Sequence, residues 1–143
     1  MATRCTITLR QNGRFRRNRI DLYRHWDGYP EATGRHLARV ARDADRIEDI
    51  AAGLLAAKEG DGFGAGRYEI TERADMHGDT EWHYEVAMAP GETPWLHVSH
   101  RSFGAQSFTL ELVGRLPAFR TEMARRFRTF IARIKRMMAE RGA

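Results

Sequence analysis

The chain has little of what would cross-link a small domain or place it in a membrane. One cysteine, Cys5, among 143 residues excludes an intramolecular disulfide, and its place in an alternating stretch reads as a small buried apolar group in a reducing compartment. The longest apolar run, Ile50 to Ala57, falls far short of the ~20 residues that cross a bilayer, and the N-terminal residues lack an apolar secretory core. A soluble cytoplasmic protein with no membrane partner is expected. No internal repeat, low-complexity tract or break in composition divides the sequence, so residues 1–143 read as a single domain with one core.

Catalytic signatures are missing too. There is no Gly-x-Ser-x-Gly elbow, Walker loop or His-Glu-x-x-His run, and the six histidines include no helical i, i+4 pair. No catalytic residue, metal ligand or cofactor is therefore assigned. The stretch Gly60-Asp61-Gly62-Phe63-Gly64-Ala65-Gly66 looks like a phosphate loop, but it runs from helix to strand where such loops run from strand to helix, and it reads as a flexible connection.

The formal charge of +5 is unevenly spread. Residues 1–24 carry seven Arg against Asp21 alone, and residues 115–143 carry nine basic groups against two acidic ones, while the middle is acidic. Two basic ends either form a positive surface for phosphates or satisfy the acidic middle across the fold. Arg supplies nearly all of the basic count, which suits bidentate phosphate contacts, although a GC-rich genome also yields an Arg-heavy chain.

Periodicity predicts the elements. Thr3 to Arg10 alternates with Cys5, Ile7 and Leu9 on one face, and Arg19 to Arg24 resumes with Ile20 and Leu22 inward after a turn at Gln11-Asn12-Gly13, extended by Arg14-Phe15-Arg16-Arg17-Asn18. Leu37 to Leu55 repeats apolar residues at threes and fours, which predicts one amphipathic helix. Strands follow at 67–73 and 81–89, expected to form a hairpin around Gly78-Asp79, then at 95–100 and at 106–113 with Phe108, Leu110 and Leu112 inward. Leu116 to Glu140 turns helical again, with Phe119, Met123, Phe127, Phe130, Ile134 and Met137 approaching a heptad seam. The expected fold is α+β: a mostly antiparallel sheet of five to six strands, ordered ββα-ββββ-α, packed with two helices. The terminal stripe is wider than one contact face needs, so a homo-oligomer through this helix is expected.

The densest stretch is Tyr23-Arg24-His25-Trp26-Asp27-Gly28-Tyr29-Pro30-Glu31, a strand-to-helix corner. Its residues either hold a flat polar ligand or plug the end of the core. For a ligand, Trp26 or Tyr29 stacks on a ring, Arg24 or Arg4 meets phosphate, Asp27 accepts hydrogen bonds, and Tyr23 and His25 complete the set. The rival surface is the basic terminal helix, whose Arg125, Arg128 and Arg136 suit nucleic acid or an acidic host complex.

Together with Thr3-Arg4-Cys5-Thr6-Ile7 and His77-Gly78-Asp79-Thr80-Glu81-Trp82-His83-Tyr84, this corner resembles a family of small, largely uncharacterised proteins of bacteriophages and prophages. The layout is also loosely similar to the first anti-Thoeris family of sponges for cyclic ADP-ribose-type signals. The phage association implies a host-takeover or counter-defence role in the host cytoplasm, and the aromatic and polar density of the corner adds the expectation of a non-enzymatic phage-type binding protein that sequesters a nucleotide-like signal. The alternative it leaves open is a basic interaction protein of the CRISPR-inhibitor kind.

Overall fold

A computed structural model describes residues 3–13, 17–58, 60–102 and 105–142; of the turn expected over 11–18, Arg14-Phe15-Arg16 lies outside them. Gln11 and Asn12 instead pair with Asn18 and Arg17, because the ladder between the first two strands continues further than alternation of apolar residues marks it. Six strands form one sheet: β1 (Cys5–Asn12), β2 (Arg17–Arg24), β3 (Tyr68–Thr71), β4 (Trp82–Met88), β5 (Trp95–His100) and β6 (Thr109–Arg115). Helices α1 (Arg35–Arg42), α2 (Ile47–Leu55) and α3 (Leu116–Gly142) cover one face. The fold is α+β, and its sheet is mostly antiparallel as expected, with β1–β4 the one parallel ladder.

Strand alternation sets the core. Cys5, Ile7 and Leu9 on β1, Leu22 on β2, Tyr84 and Val86 on β4, and Leu96 and Val98 on β5 all point toward the helices and are almost fully buried. Leu37, Ala38 and Ala41 of α1, Ile47, Ile50 and Leu54 of α2, and Phe119 and Met123 of α3 close the core from the other side. Burying a large apolar side chain contributes roughly 1.5–3 kcal/mol, which makes this layer the main source of stability.

Three further details differ from the sequence reading, each for a physical reason. First, β3 and β4 do not form a hairpin: the order is β3-β2-β1-β4-β5-β6. Alternation marks strands but not partners, and β1, with β2 on one edge, takes β4 on the other. The connection Glu72–Glu81 must therefore cross β2 and β1, and it does so as a strap over the face opposite the helices.

Second, the expected single helix is two. It breaks between Arg42 and Ile47, where Asp43 and Asp45 favour helix ends over helix interiors, and Gln11 Oε1 accepts the Ile47 amide at 3.1 Å to cap α2. Third, β6 carries a bulge. Leu112 pairs with Val98 but Leu110 pairs with Ser99, so Glu111 is the extra residue. A one-residue shift moves side chains to the other face, and Phe108 and Leu110 stand on the open side of the sheet instead of facing inward with Leu112.

Candidate functional site

Beyond β2 the aromatic corner divides into an inward half and an outward half. Arg24 continues the inward parity of Leu22 and is 1% exposed. Its guanidinium donates to the carbonyls of Gly66 at 3.2 Å, Asp27 at 3.3 Å and Phe63 at 2.9 Å and to Thr33 Oγ1 at 2.8 Å, and it lies 4.6 Å from the Tyr68 ring centroid. Asp27, at φ 55°, accepts the Ala65 amide on Oδ2 at 2.6 Å, and Gly64 packs so close that a Cβ there would sit 2.7 Å from Asp27 Cβ. Gly28 lies equally tight on Cys5, and its carbonyl accepts the Tyr84 hydroxyl at 2.6 Å. Tyr29 is half-buried with its ring 6.0 Å from Phe130, and burial together with the Asp27 charge raises its pKa. Arg24, Asp27 and Tyr29 thus clamp the corner to the glycine loop and to α3. The loop is held on its inner side, not left as a free connection.

The outward half faces the open side. Tyr23 stacks on His77 of the strap at 4.3 Å and donates to Asp79 at 3.0 Å. Arg4 pairs with the same Asp79 at 3.1 Å and donates to His25 Nδ1 at 3.3 Å. Trp26 meets His25 edge-on at 4.9 Å and is 50% exposed. Burial and the Asp79 carboxylate raise the Tyr23 pKa to about 12, so its hydroxyl stays protonated and donating at neutral pH. Arg4, Tyr23, His25 and Trp26 are brought together; Arg24, Asp27 and Tyr29 face away from them.

This cluster borders a polar cradle that the sequence reading missed. The strap and the sheet border a half-open cavity of about 540 Å³ with Thr6, Thr8 and His83 on its floor and Arg10, Arg19, Arg73 and Arg101 around it, beside Asp21 and Phe108. Thr6 and Thr8 are 2% and 1% exposed although they lie on the face without helices, because the strap covers them. His83 Nδ1 lies 2.8 Å from Thr6 Oγ1, and burial lowers its pKa, so the imidazole is neutral at pH 7. Burial opposes the charge on Asp21, but hydrogen bonds from Arg19, the Ala74 amide and Thr8 outweigh it and lower the pKa. Arg101 ties the strap down by donating to the carbonyls of Thr80 at 2.6 Å and His77 at 3.1 Å. Arg10, Arg19 and Arg73 pair with Glu85, Asp21 and Asp75, with their own side chains about half exposed or more. The Arg10–Glu85 and Arg73–Asp75 pairs, partly exposed on both sides, are worth at most about 1 kcal/mol and exchange readily for a ligand anion, whereas the buried Asp21 carboxylate keeps Arg19 in place.

The signal was present in β1, where Arg4, Thr6, Thr8 and Arg10 share the face opposite Cys5, Ile7 and Leu9. Without knowing that a strap covers this face, it reads as solvated surface. On α3, Arg125, Arg128 and Arg136 are all exposed, and Arg125 pairs with Glu122. Cys5 is buried as expected, with its Sγ 3.9 Å from Thr33 Oγ1 and its pKa pushed up to about 12 by burial. Among the described residues, no helix is long and apolar enough to cross a membrane, and no three His, Cys, Asp or Glu side chains are grouped to hold a metal ion. The chain matches no protein-family model, no curated protein and no solved structure.

Proposed function

We propose that this protein binds a small nucleotide-like ligand without turning it over, on the open face of the sheet beneath the strap. The observation that carries this reading is a floor of buried Thr6 and Thr8 with half-buried His83, inside a ring of four arginines. Guanidinium forks match phosphate oxygens, the exposed Asp75 accepts from sugar or base donors, and the Tyr23–His77 stack or Phe108 offers an aromatic end for a ring. The volume lies within the roughly 300–1,000 Å³ usual for small-molecule sites. In the context of the phage-family resemblance, such binding serves to sequester a signal, as a counter-defence sponge does in the host cytoplasm.

The experiment is calorimetry of the intact chain against cyclic ADP-ribose-type molecules, cyclic dinucleotides and mononucleotides, repeated with Arg10→Ala and Arg73→Ala. Both side chains are about half exposed or more, so the variants fold. At least one compound binds the parent, and each variant weakens it about tenfold, the equivalent of roughly 1.4 kcal/mol. No heat across the whole panel rejects the reading.

Self-association through the distal half of α3 belongs to the same proposal. Beyond Met123 no residue of this helix is buried, and Met137 and Met138 are largely exposed. The alternative reading, contact with nucleic acid or an acidic host complex, rests on the exposure of Arg125, Arg128 and Arg136.

A further inference from the structure

On the helical side, far from the cradle, α1 and α3 flank a groove of about 440 Å³ that contains Arg35, Arg39, Arg42 and Arg120 against a single acid, Asp43. The three arginines of α1 sit at i, i+4 and i+7, which places them on one face. Phe63 lies beneath them, 8% exposed and stacked on His36 at 4.7 Å, with the guanidinium of Arg35 5.0 Å and that of Arg39 5.5 Å from its centroid.

The charges in this groove are poorly compensated. Arg42 pairs with Asp43, but among the described residues no ion pair forms at Arg35, Arg39 or Arg120. Arg35 is half-buried; it donates to the carbonyls of Glu31 at 3.3 Å and Gly62 at 3.1 Å and lies 3.5 Å over the Phe127 ring. Its pKa is lowered by burial, the sign of a cation held without a compensating carboxylate. Gathering cations where no acid answers them costs free energy in the free protein, and an anion with several oxygens would recover it.

We propose that this groove is a second binding site, one that takes a chain of phosphate groups. Flat guanidinium forks donate to two phosphate oxygens each, and the rings beneath Arg35 and Arg39 hold those forks in place. At 100° per residue, Arg120, Arg128 and Lys135 share an arc of about 80° on α3 with Ala124, Ile131 and Met138, so three cations interspersed with apolar side chains are spaced over roughly 22 Å of the helix. That length exceeds one phosphate and fits a row of them, whether from a free polyphosphate or from the backbone of a nucleic acid.

The test uses two probes, inorganic tripolyphosphate and a 15-nucleotide thymidine oligonucleotide, each titrated into the intact chain at 20 mM and 200 mM salt. At least one binds at low salt and weakens at high salt, as counterion release requires. Arg39→Glu with Arg120→Glu reduces that binding at least thirtyfold, while Arg46→Glu, at an exposed arginine outside both the groove and the cradle, leaves it unchanged. Binding of the oligonucleotide alone identifies a nucleic-acid backbone, and binding of tripolyphosphate alone or of both probes identifies the phosphate chain itself. Circular dichroism checks that the double variant folds; if it does not, Arg39→Gln with Arg120→Gln replaces it and gives at least a tenfold loss. Failure of both probes to bind the parent at low salt overturns the proposal, as does undiminished binding by a folded variant.

Discussion

Replacing Arg24 with methionine separates the two readings of the aromatic corner, because the guanidinium either holds the fold or serves a ligand. Methionine keeps most of the buried stem but donates nothing. It leaves the carbonyls of Phe63 and Gly66 without their Arg24 donors, while Asp27 O still accepts the Thr33 hydroxyl at 2.8 Å. A buried acceptor left without a donor costs about 1–3 kcal/mol, and losing the contact with the Tyr68 ring adds about 0.5–1 kcal/mol. Releasing a desolvated cation offsets part of this, so a net loss of about 3 kcal/mol is expected. With an unfolding entropy of ~2.1 cal/mol/K per residue, 143 residues give ~0.3 kcal/mol/K and a fall in Tm of about 10 °C. Urea titration followed by tryptophan fluorescence measures the free energy, and a thermal scan by circular dichroism gives the Tm. A variant within about 1 kcal/mol of the parent would refute the clamp, the more so if it had also lost ligand binding.

Stability should fall with acid before the carboxylates titrate. Burial lowers the His36 pKa from 6.5 to about 4, so the unfolded chain takes up a proton below pH 6.5 while the folded one does not, and about 2 kcal/mol is lost by pH 5. His83, also lowered, acts with the same sign; His36→Gln therefore flattens but does not abolish the pH dependence seen in urea titrations at pH 7 and 5. Gly64→Ala, at φ +88° with its new Cβ 2.7 Å from Asp27 Cβ, should cost roughly 3 kcal/mol, and Gly62→Ala, at φ +85° in open space, only about 1 kcal/mol; equal losses would mean that the corner and loop do not pack as described. If α3 pairs with a second copy, sedimentation equilibrium should show association that strengthens from 50 to 500 mM salt. Arg128, Arg133, Lys135 and Arg136 repel their counterparts across such an interface, and a monomer at both salts removes the self-association proposal.

Much of the architecture could be read from the sequence because strand alternation and helical spacing report burial directly. Cys5, Ile7, Leu9, Leu22, Tyr84 and Val86 face the core as their parity requires. The same parity places Arg24 inward with Ile20 and Leu22, yet a charged side chain invites a solvent or ligand reading. Only the carbonyls of Gly66 and Phe63, some forty residues away, reveal what satisfies it. The cradle was hidden for a related reason: Thr6 and Thr8 are polar and look solvated until topology brings Ala74 and His77 across them. Pairing partners and the bulge at Glu111 depend on long-range fit, which local patterns do not encode, while the break after Arg42 combines a local signal in Asp43 and Asp45 with a cap from the distant Gln11.

The central place of β1 affects how the chain acquires its structure during synthesis. An N-terminal strand that finishes at Asn12 must wait for its second neighbour until Met88 has been made, 76 residues later. At about 5–20 residues per second that is roughly 4–15 s on the ribosome, during which the early β1–β2 ribbon has an uncovered Cys5–Ile7–Leu9 stripe and two unpaired backbone edges, of which β3 closes the one on β2 first. Helices α1 and α2 emerge inside this interval and can shelter the stripe, but the open edge of β1 is closed only by β4. The strap is therefore among the last segments laid down before that closure, and the cradle forms only when the sheet is joined across its middle.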